Sequence, residues 1–288
     1  MNPRMLCVAV CFSAMPLAVQ AQEAPKGLMP ANGIFAGAGG AWNGATFPNQ
    51  DIYGYGISEI YTILHIHVAD GAAAGNAYPK LGSDSSVSPV LQLGFYRSVE
   101  GTPWVWGAKF SYNQVGVSGS QENVLIPQAG GYDGLITGTF TGNYLLRSYD
   151  VSLNNQFALV PFLGYSFGNG FIYGGAGPTL SRITSNMNGL IGFAELDHRY
   201  AVSGAPVSFS ASNWVWGGTA VAGITYFFAR NWFLDLNYSY TASTTVTNSF
   251  SNRFDTVYPT VEFKGLSAGT YSGTVNNQAL ALTINYVF

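Results

Sequence analysis

The residues best equipped for chemistry are few and far apart. Three histidines occur: His65, His67 and His198. Imidazole is the side chain that changes charge near neutral pH, and it is the commonest metal ligand. His65 and His67 stand two apart. On a strand they share a face with Glu59 and oppose Leu64, Ile66 and Val68, a pair that could hold a divalent metal or haem iron. The same run also fits a helix starting after Ser58, with Ile57, Ile60, Tyr61, Leu64 and Val68 on one side, and there the rings diverge. No third ligand is in view, so loop packing is the default expectation and no metal or cofactor site is assigned. Asp197-His198-Arg199 reads as a solvated loop tip. Covalent catalysis needs a nucleophile within reach of a base. No such pairing can be assembled around these histidines, so no catalytic residue and no enzymatic activity are expected.

Both cysteines, Cys7 and Cys11, fall in an N-terminal segment that reads as a cleavable secretory signal over 1–21. Arg4 supplies the positive end, Met5 to Val19 is apolar, and Val19-Gln20-Ala21 offers a cleavage site. The mature chain, 22–288, would then be a single domain with no disulfide, thiolate nucleophile or cysteine metal site.

Lys109 and Asp235 are charged residues inside otherwise uncharged, alternating stretches. With Asn154, Gln156 and Asn237 they form a predicted polar cluster on the inner face of those stretches, because Lys or Arg facing mid-bilayer hydrocarbon costs about 2–4 kcal/mol. The rest of the composition has the same character. Charged residues are 9% of the 288, against about 25% in an ordinary soluble domain. Aromatics reach 15% and there are 36 glycines. The net charge of -3 and the lack of a basic stripe exclude nucleic acid as an expected partner.

Period-two alternation dominates the chain. From Asn277 to Phe288 the even positions carry Leu280, Leu282, Ile284, Tyr286 and Phe288, while Ala281, Thr283 and Asn285 alternate with them. Trp232 to Thr241, Trp104 to Asn113 and Val151 to Phe167 repeat the pattern, the last imperfectly: Asn155 and Pro161 fall on its apolar face. Eight strands are predicted near 33–42, 88–98, 103–113, 148–167, 171–182, 213–228, 232–241 and 277–288. Their connections alternate strictly between tight turns and segments tens of residues long. That is the layout of an all-β, closed, antiparallel up-and-down transmembrane barrel with long extracellular loops and both termini in the periplasm. Ten or twelve strands are the alternative, drawing on Tyr53–Val68, Gly134–Tyr144 or Glu195–Ser210. A membrane helix over Trp214 to Ala229 and a soluble lipocalin-like barrel, suggested by Gly40-Ala41-Trp42, are the weaker rivals. Loops such as 116–131 and 241–277, rich in Gly, Ser, Asn and Thr, are expected to lie open to water.

The final strand resembles the C-terminal signature of outer-membrane barrels, with Leu282, Ile284, Tyr286 and Phe288 as the assembly signal. The segment Gly223 to Tyr240 resembles a late hairpin of the opacity-like family of small porin-like surface antigens of proteobacteria. That resemblance implies a Gram-negative outer-membrane location and a structural or surface-interaction role, with a side-chain-filled lumen. A narrow porin-like channel is the alternative, and loop-mediated haem or metal binding is a weaker one. The expected partners are outer-membrane lipids and lipopolysaccharide, with the barrel-assembly machinery and periplasmic chaperones during biogenesis.

Overall fold

The computed structural model describes residues 27–196 and 198–288, so the predicted signal over 1–21 lies outside the described residues. Among the described residues the fold has fourteen strands. In chain order they are β1 (Asn32–Thr46), β2 (Asp51–Thr62), β3 (His67–Ala77), β4 (Asp84–Ser98), β5 (Trp104–Asn113), β6 (Val117–Gly134) and β7 (Gly138–Ser166). There follow β8 (Gly170–Glu195), β9 (Arg199–Tyr200), β10 (Val207–Ala229), β11 (Trp232–Ser243), β12 (Val246–Val257), β13 (Val261–Gly273) and β14 (Asn276–Val287). Among the described residues no helix is long and apolar enough to cross a membrane. Trp214 to Ala229 lies in β10, so the helical rival fails there.

Eight of these strands close into a ring, β1–β4–β5–β7–β8–β10–β11–β14, each antiparallel to its neighbours. The last strand closes on the first, with Phe35 opposite Val287 and Thr46 opposite Asn276. All eight cover the strands predicted from alternation, apart from the single end residues Pro103, Phe167 and Phe288. Tight turns join β4 to β5, β7 to β8 and β10 to β11; in the second, Gly168 sits at φ +95°, a conformation that glycine adopts without strain.

The long connections are not open loops. They fold into β2, β3, β6, β12 and β13, which hydrogen-bond in the order β12–β13–β2–β3–β6 and continue onto the distal half of β7. Together with the distal halves of β7, β8 and β10 they form a second stave wall, here called the crown, standing directly above the ring. The extra strands therefore extend the barrel upward and do not widen it. Residues 53–68 become β2, a turn and the start of β3; 134–144 spans the β6–β7 turn; 195–210 holds β9 and the start of β10. The crown closes on its own apolar core, which includes Ile52, Ile126, Tyr144, Leu146, Tyr149, Val151, Leu153, Met187, Phe250 and Tyr271. Its last seam, β10 to β12, is bridged by side chains: Asn213 donates to Asn248 at 2.6 Å, and Phe209 lies 5.2 Å from Phe250.

A β-bulge in β7 links the two levels. Leu153 pairs with Ile183 but Asn155 pairs with Arg182, so Asn154 is the extra residue. One inserted residue exchanges the faces of everything beyond it. Val151 and Leu153 thus point into the crown core, while Phe157, Leu159 and Leu163 of the same strand point outward from the ring. This is why the alternation across Val151 to Phe167 is imperfect.

Candidate functional site

The ring is inverted relative to a soluble barrel. On β14, Leu282 is 52% exposed and Ile284 51%, whereas Thr283 is 1% and Asn285 0%. The same outward apolar set recurs around the ring, with Leu91, Leu93 and Phe95 on β4, Leu159 and Leu163 on β7, Ile172 on β8, Ile224 on β10 and Leu236 on β11. All six tryptophans of the chain, Trp42, Trp104, Trp106, Trp214, Trp216 and Trp232, face outward among the exposed residues. They fall at two levels with aromatic companions. Near the turns Trp104 meets Tyr165 at 5.7 Å and Trp232 meets Tyr286 at 5.0 Å. Below the crown Phe157 lies 5.6 Å from Trp214 and 5.0 Å from Tyr112. From Trp232 to Tyr240 a strand rises about 26 Å along its own axis at ~3.3 Å per residue, or about 20 Å along a barrel axis tilted by ~40°. That height approaches the roughly 25 Å apolar band of membrane barrels. Above the upper aromatics the outward face turns polar on all three through-running strands: Ser148 and Asp150 on β7, Arg182, Thr184 and Asn186 on β8, Ser208, Ser210 and Ser212 on β10. Arg182 and Thr184 both bond Ser212 at 3.1 Å there.

The inside of the ring is filled by stacked layers of side chains. At the turn end Phe35, Tyr96, Phe162, Phe171, Phe227 and Phe233 form an aromatic plug. Above it Lys109 and Asp235 make a buried ion pair of 2.9 Å. Tyr173 completes the triangle, accepting from Lys109 at 2.6 Å and donating to Asp235 at 2.7 Å. Asn237 donates to the same carboxylate at 3.1 Å. A charge pair in low dielectric persists only with further hydrogen bonds to its ends; here Tyr173 bonds both the ammonium and the carboxylate, and Asn237 bonds the carboxylate again. Next comes an amide and hydroxyl layer. Asn43 donates to Ser88, Ser88 to Asn113 and Asn113 back to Asn43, each at 2.7 Å. Gln156 joins through Asn277 at 3.4 Å and Ser181 at 3.3 Å, and Gln92 bonds Thr283 at 2.7 Å and Asn285 at 2.6 Å. A void of about 50 Å³ remains between these layers, enough for a few waters at about 10–15 Å³ each. The crown core seals the top.

Of the predicted lumen cluster the structure brings Lys109, Asp235 and Asn237 together and places Gln156 one layer above them. Asn154 is elsewhere: it is the bulge residue, half-buried, and bonds Thr184 at 3.0 Å on the outer side. Its parity in the sequence is right only for a strand without an insertion. Tyr173 and the Asn43–Ser88–Asn113 cycle were not singled out from the sequence. Asn113 opposed an apolar face in the alternation and was findable; Tyr173 lies between Ile172 and Gly174, where no polar face marks its side. Of the assembly residues, Leu282, Ile284 and Tyr286 face outward on β14. The Phe288 amide donates to Ile34 at 2.9 Å, and its ring lies 5.2 Å from Tyr286.

Neither reading of the two histidines matches the structure. His65 occupies the β2–β3 turn at φ +56° and His67 begins β3, so they share neither one strand nor a helix. His65 Nδ1 lies 2.9 Å from Glu262, and His67 Nε2 lies 3.0 Å from Asp70. Lys264 donates to Glu262 at 2.8 Å; that contact, then His65, holds the Glu262 carboxyl below its ordinary range, and Glu262 raises the Lys264 ammonium in turn. Among the described residues no group of three or more His, Cys, Asp or Glu side chains is placed to hold a metal.

No family model matches the chain, and no curated protein matches it. Among solved structures it is similar to the attachment invasion locus protein Ail of Yersinia pestis, at 11% identity over 87% of this chain and 99% of that one, with a TM-score of 0.28. It is similar to the outer membrane protein OprG of Pseudomonas aeruginosa, at 12% identity over 89% and 96%, with a TM-score of 0.33. It is also similar to the outer membrane protease OmpT of Escherichia coli, at 10% identity over 89% and 97%, with a TM-score of 0.28. At those values the barrel rests on this chain's own strand pairing, and its setting on the side chains it turns outward.

Proposed function

We propose that the chain is an integral outer-membrane β-barrel with a sealed lumen, which holds the crown above the cell surface in a structural or surface-interaction role. The observation that carries this is the uncharged apolar belt on every strand of a ring that keeps its ion pair and its amide and hydroxyl layer inside. Soluble monomers seldom expose contiguous apolar patches beyond a few hundred Å², and hydrocarbon is the solvent that such a belt requires. A closed ring leaves no unpaired edge in lipid. The aromatic plug, the Lys109–Asp235–Tyr173 triangle and the crown core leave no continuous aqueous path, which favours a filled barrel over a narrow channel. Lipid tails would meet the belt, and lipopolysaccharide headgroups the polar faces above the upper aromatics, Arg182 among them. The barrel-assembly machinery would read β14. The likeness of the β10–β11 hairpin to the opacity-like family agrees with this reading.

Planar-bilayer recording tests it. The filled barrel should give no stable openings at moderate voltage. Regular open steps of porin size would replace the sealed reading with the channel.

A further inference from the structure

The turns at the two ends of the molecule differ in kind. Those of the ring carry Glu100, Asn169, Arg230 and Asn231, polar or charged as turns that meet water commonly are. Those of the crown do not. The β2–β3 turn reads Ile63-Leu64-His65-Ile66, the β6–β7 turn Leu135-Ile136-Thr137, and Val257 leads into the β12–β13 turn, Tyr258-Pro259-Thr260. Leu64 is 76% exposed and Leu135 78%, and Ile63, Ile66, Ile136 and Val257 are exposed with them. No Asp, Glu, Lys or Arg stands in these turns.

Strand pairing sets the turns side by side. Thr62 at the end of β2 is opposite Val261 at the start of β13, and the Leu135 amide donates to the Val68 carbonyl of β3 at 2.8 Å. They form one rim, at the end of the crown away from the ring. The turns also bond their own backbone. The Thr62 amide donates to the Ile66 carbonyl and the His65 amide to the Thr62 carbonyl, each at 2.9 Å, and the Ile66 amide donates to the Thr62 hydroxyl at 3.2 Å. The Tyr258 amide donates to the Val261 carbonyl at 2.8 Å.

These features select a partner. Protein interfaces draw most of their energy from Trp, Tyr and Arg seated in fitted pockets. The rim instead presents aliphatic side chains on separate turns. A fluid hydrocarbon phase accepts such side chains without a matching shape, and it favours turns whose amides are already bonded. Just below the turns Glu59, Asp70, Asp133, Glu195 and Glu262 outnumber Lys264 and Arg199. That balance repels an anionic surface and tolerates a zwitterionic one.

We propose that the rim docks on a second lipid bilayer, apposed to the one that holds the ring and zwitterionic at its surface. Ile63, Leu64, Leu135 and Ile136 enter its headgroup–acyl boundary. The inference rests on the surface-interaction reading above and names its partner.

The test places the full chain in phospholipid nanodiscs, mixes them at neutral pH with separate phosphatidylcholine vesicles, and floats the mixture on a density gradient. Nanodiscs that hold the protein should rise with the vesicles, and empty nanodiscs should not. Leu64→Ser with Leu135→Ser should weaken vesicle binding at least about tenfold, since two large apolar side chains no longer leave water. Both sites are exposed, so heat-modifiable mobility of that variant should match wild type, which separates lost docking from lost folding. An environment-sensitive fluorophore on Leu64→Cys should brighten when vesicles are added, and one on Glu100→Cys should not. Phosphatidylglycerol vesicles should bind more weakly than phosphatidylcholine. A chain that does not enter nanodiscs would overturn the membrane-barrel reading and this inference together. Loaded nanodiscs that do not rise with vesicles, or a double variant that binds as wild type does, would overturn the inference alone. So would brightening at Leu64→Cys that needs only a higher protein concentration and no vesicles, because a second copy would then be the occupant.

Discussion

At the scale of single residues, the buried triangle of Lys109, Asp235 and Tyr173 has the largest predictable effect. Removing one charge strands the other in the lumen. Lys109→Met should therefore destabilise the barrel by about 3–5 kcal/mol, and Lys109→Met with Asp235→Leu should recover most of that loss. Urea titration followed by heat-modifiable gel mobility measures both; equal losses for the single and double variants would show that the pair is not isolated from solvent. A second residue-scale effect depends on pH. The Glu262 carboxyl is depressed from its ordinary 4.5 by Lys264 and His65. A depressed carboxyl contributes stability that is present above the unfolded value and lost as pH falls through the folded one. The β2–β13 ladder should therefore loosen below about pH 4.5 before the ring does. Hydrogen exchange resolved by strand should show that order, and Glu262→Gln should remove the pH dependence.

At the scale of elements, the bulge at Asn154 decides which face of β7 meets which solvent. Deleting Asn154 leaves the ring parity intact from Gln156 onward and turns Val151 and Leu153 out of the crown core. The expected outcome is a barrel that still shifts in heat-modifiable mobility, with a crown that added protease cuts. A crown as resistant as wild type would mean that the register recovers elsewhere. Deleting Phe288 should lower outer-membrane yield more than the stability of barrels already folded, because the residue adds little burial but completes the terminal pattern. The ring strands are legible in the sequence because each carries large apolar residues on one face, as Leu280, Leu282 and Ile284 do. The crown strands are not. The inward face of β3 carries Ala69, Gly71, Ala73 and Gly75, and β12 alternates Ser and Asn with a few aromatics, so their core is supplied across space by Tyr144, Tyr149 and Tyr271. Composition alone marks such segments as loops. Lys109, Asp235 and Asn237 were readable because charge on an alternating strand has one tolerable direction. Tyr173 was not, because a tyrosine suits either face.

At the scale of the whole molecule, two solvents meet one closed wall. The ring turns an apolar belt outward, the crown packs an apolar core inward, and the outer face changes from apolar to polar at one level on β7, β8 and β10. A cysteine at Thr260, on the exposed β12–β13 tip, should react with a membrane-impermeant maleimide on intact cells, whereas one at Glu100 in the β4–β5 turn should react only after lysis. The reverse pattern would invert the topology. The most direct measurement of the central claim uses the tryptophans, since all six project from the belt. With the protein reconstituted into bilayers of phospholipids brominated on their acyl chains, most of the tryptophan emission should be quenched relative to unbrominated bilayers, with a blue-shifted maximum in the latter. Emission that stays unquenched, with a maximum near that of tryptophan in water, would contradict a lipid-facing belt.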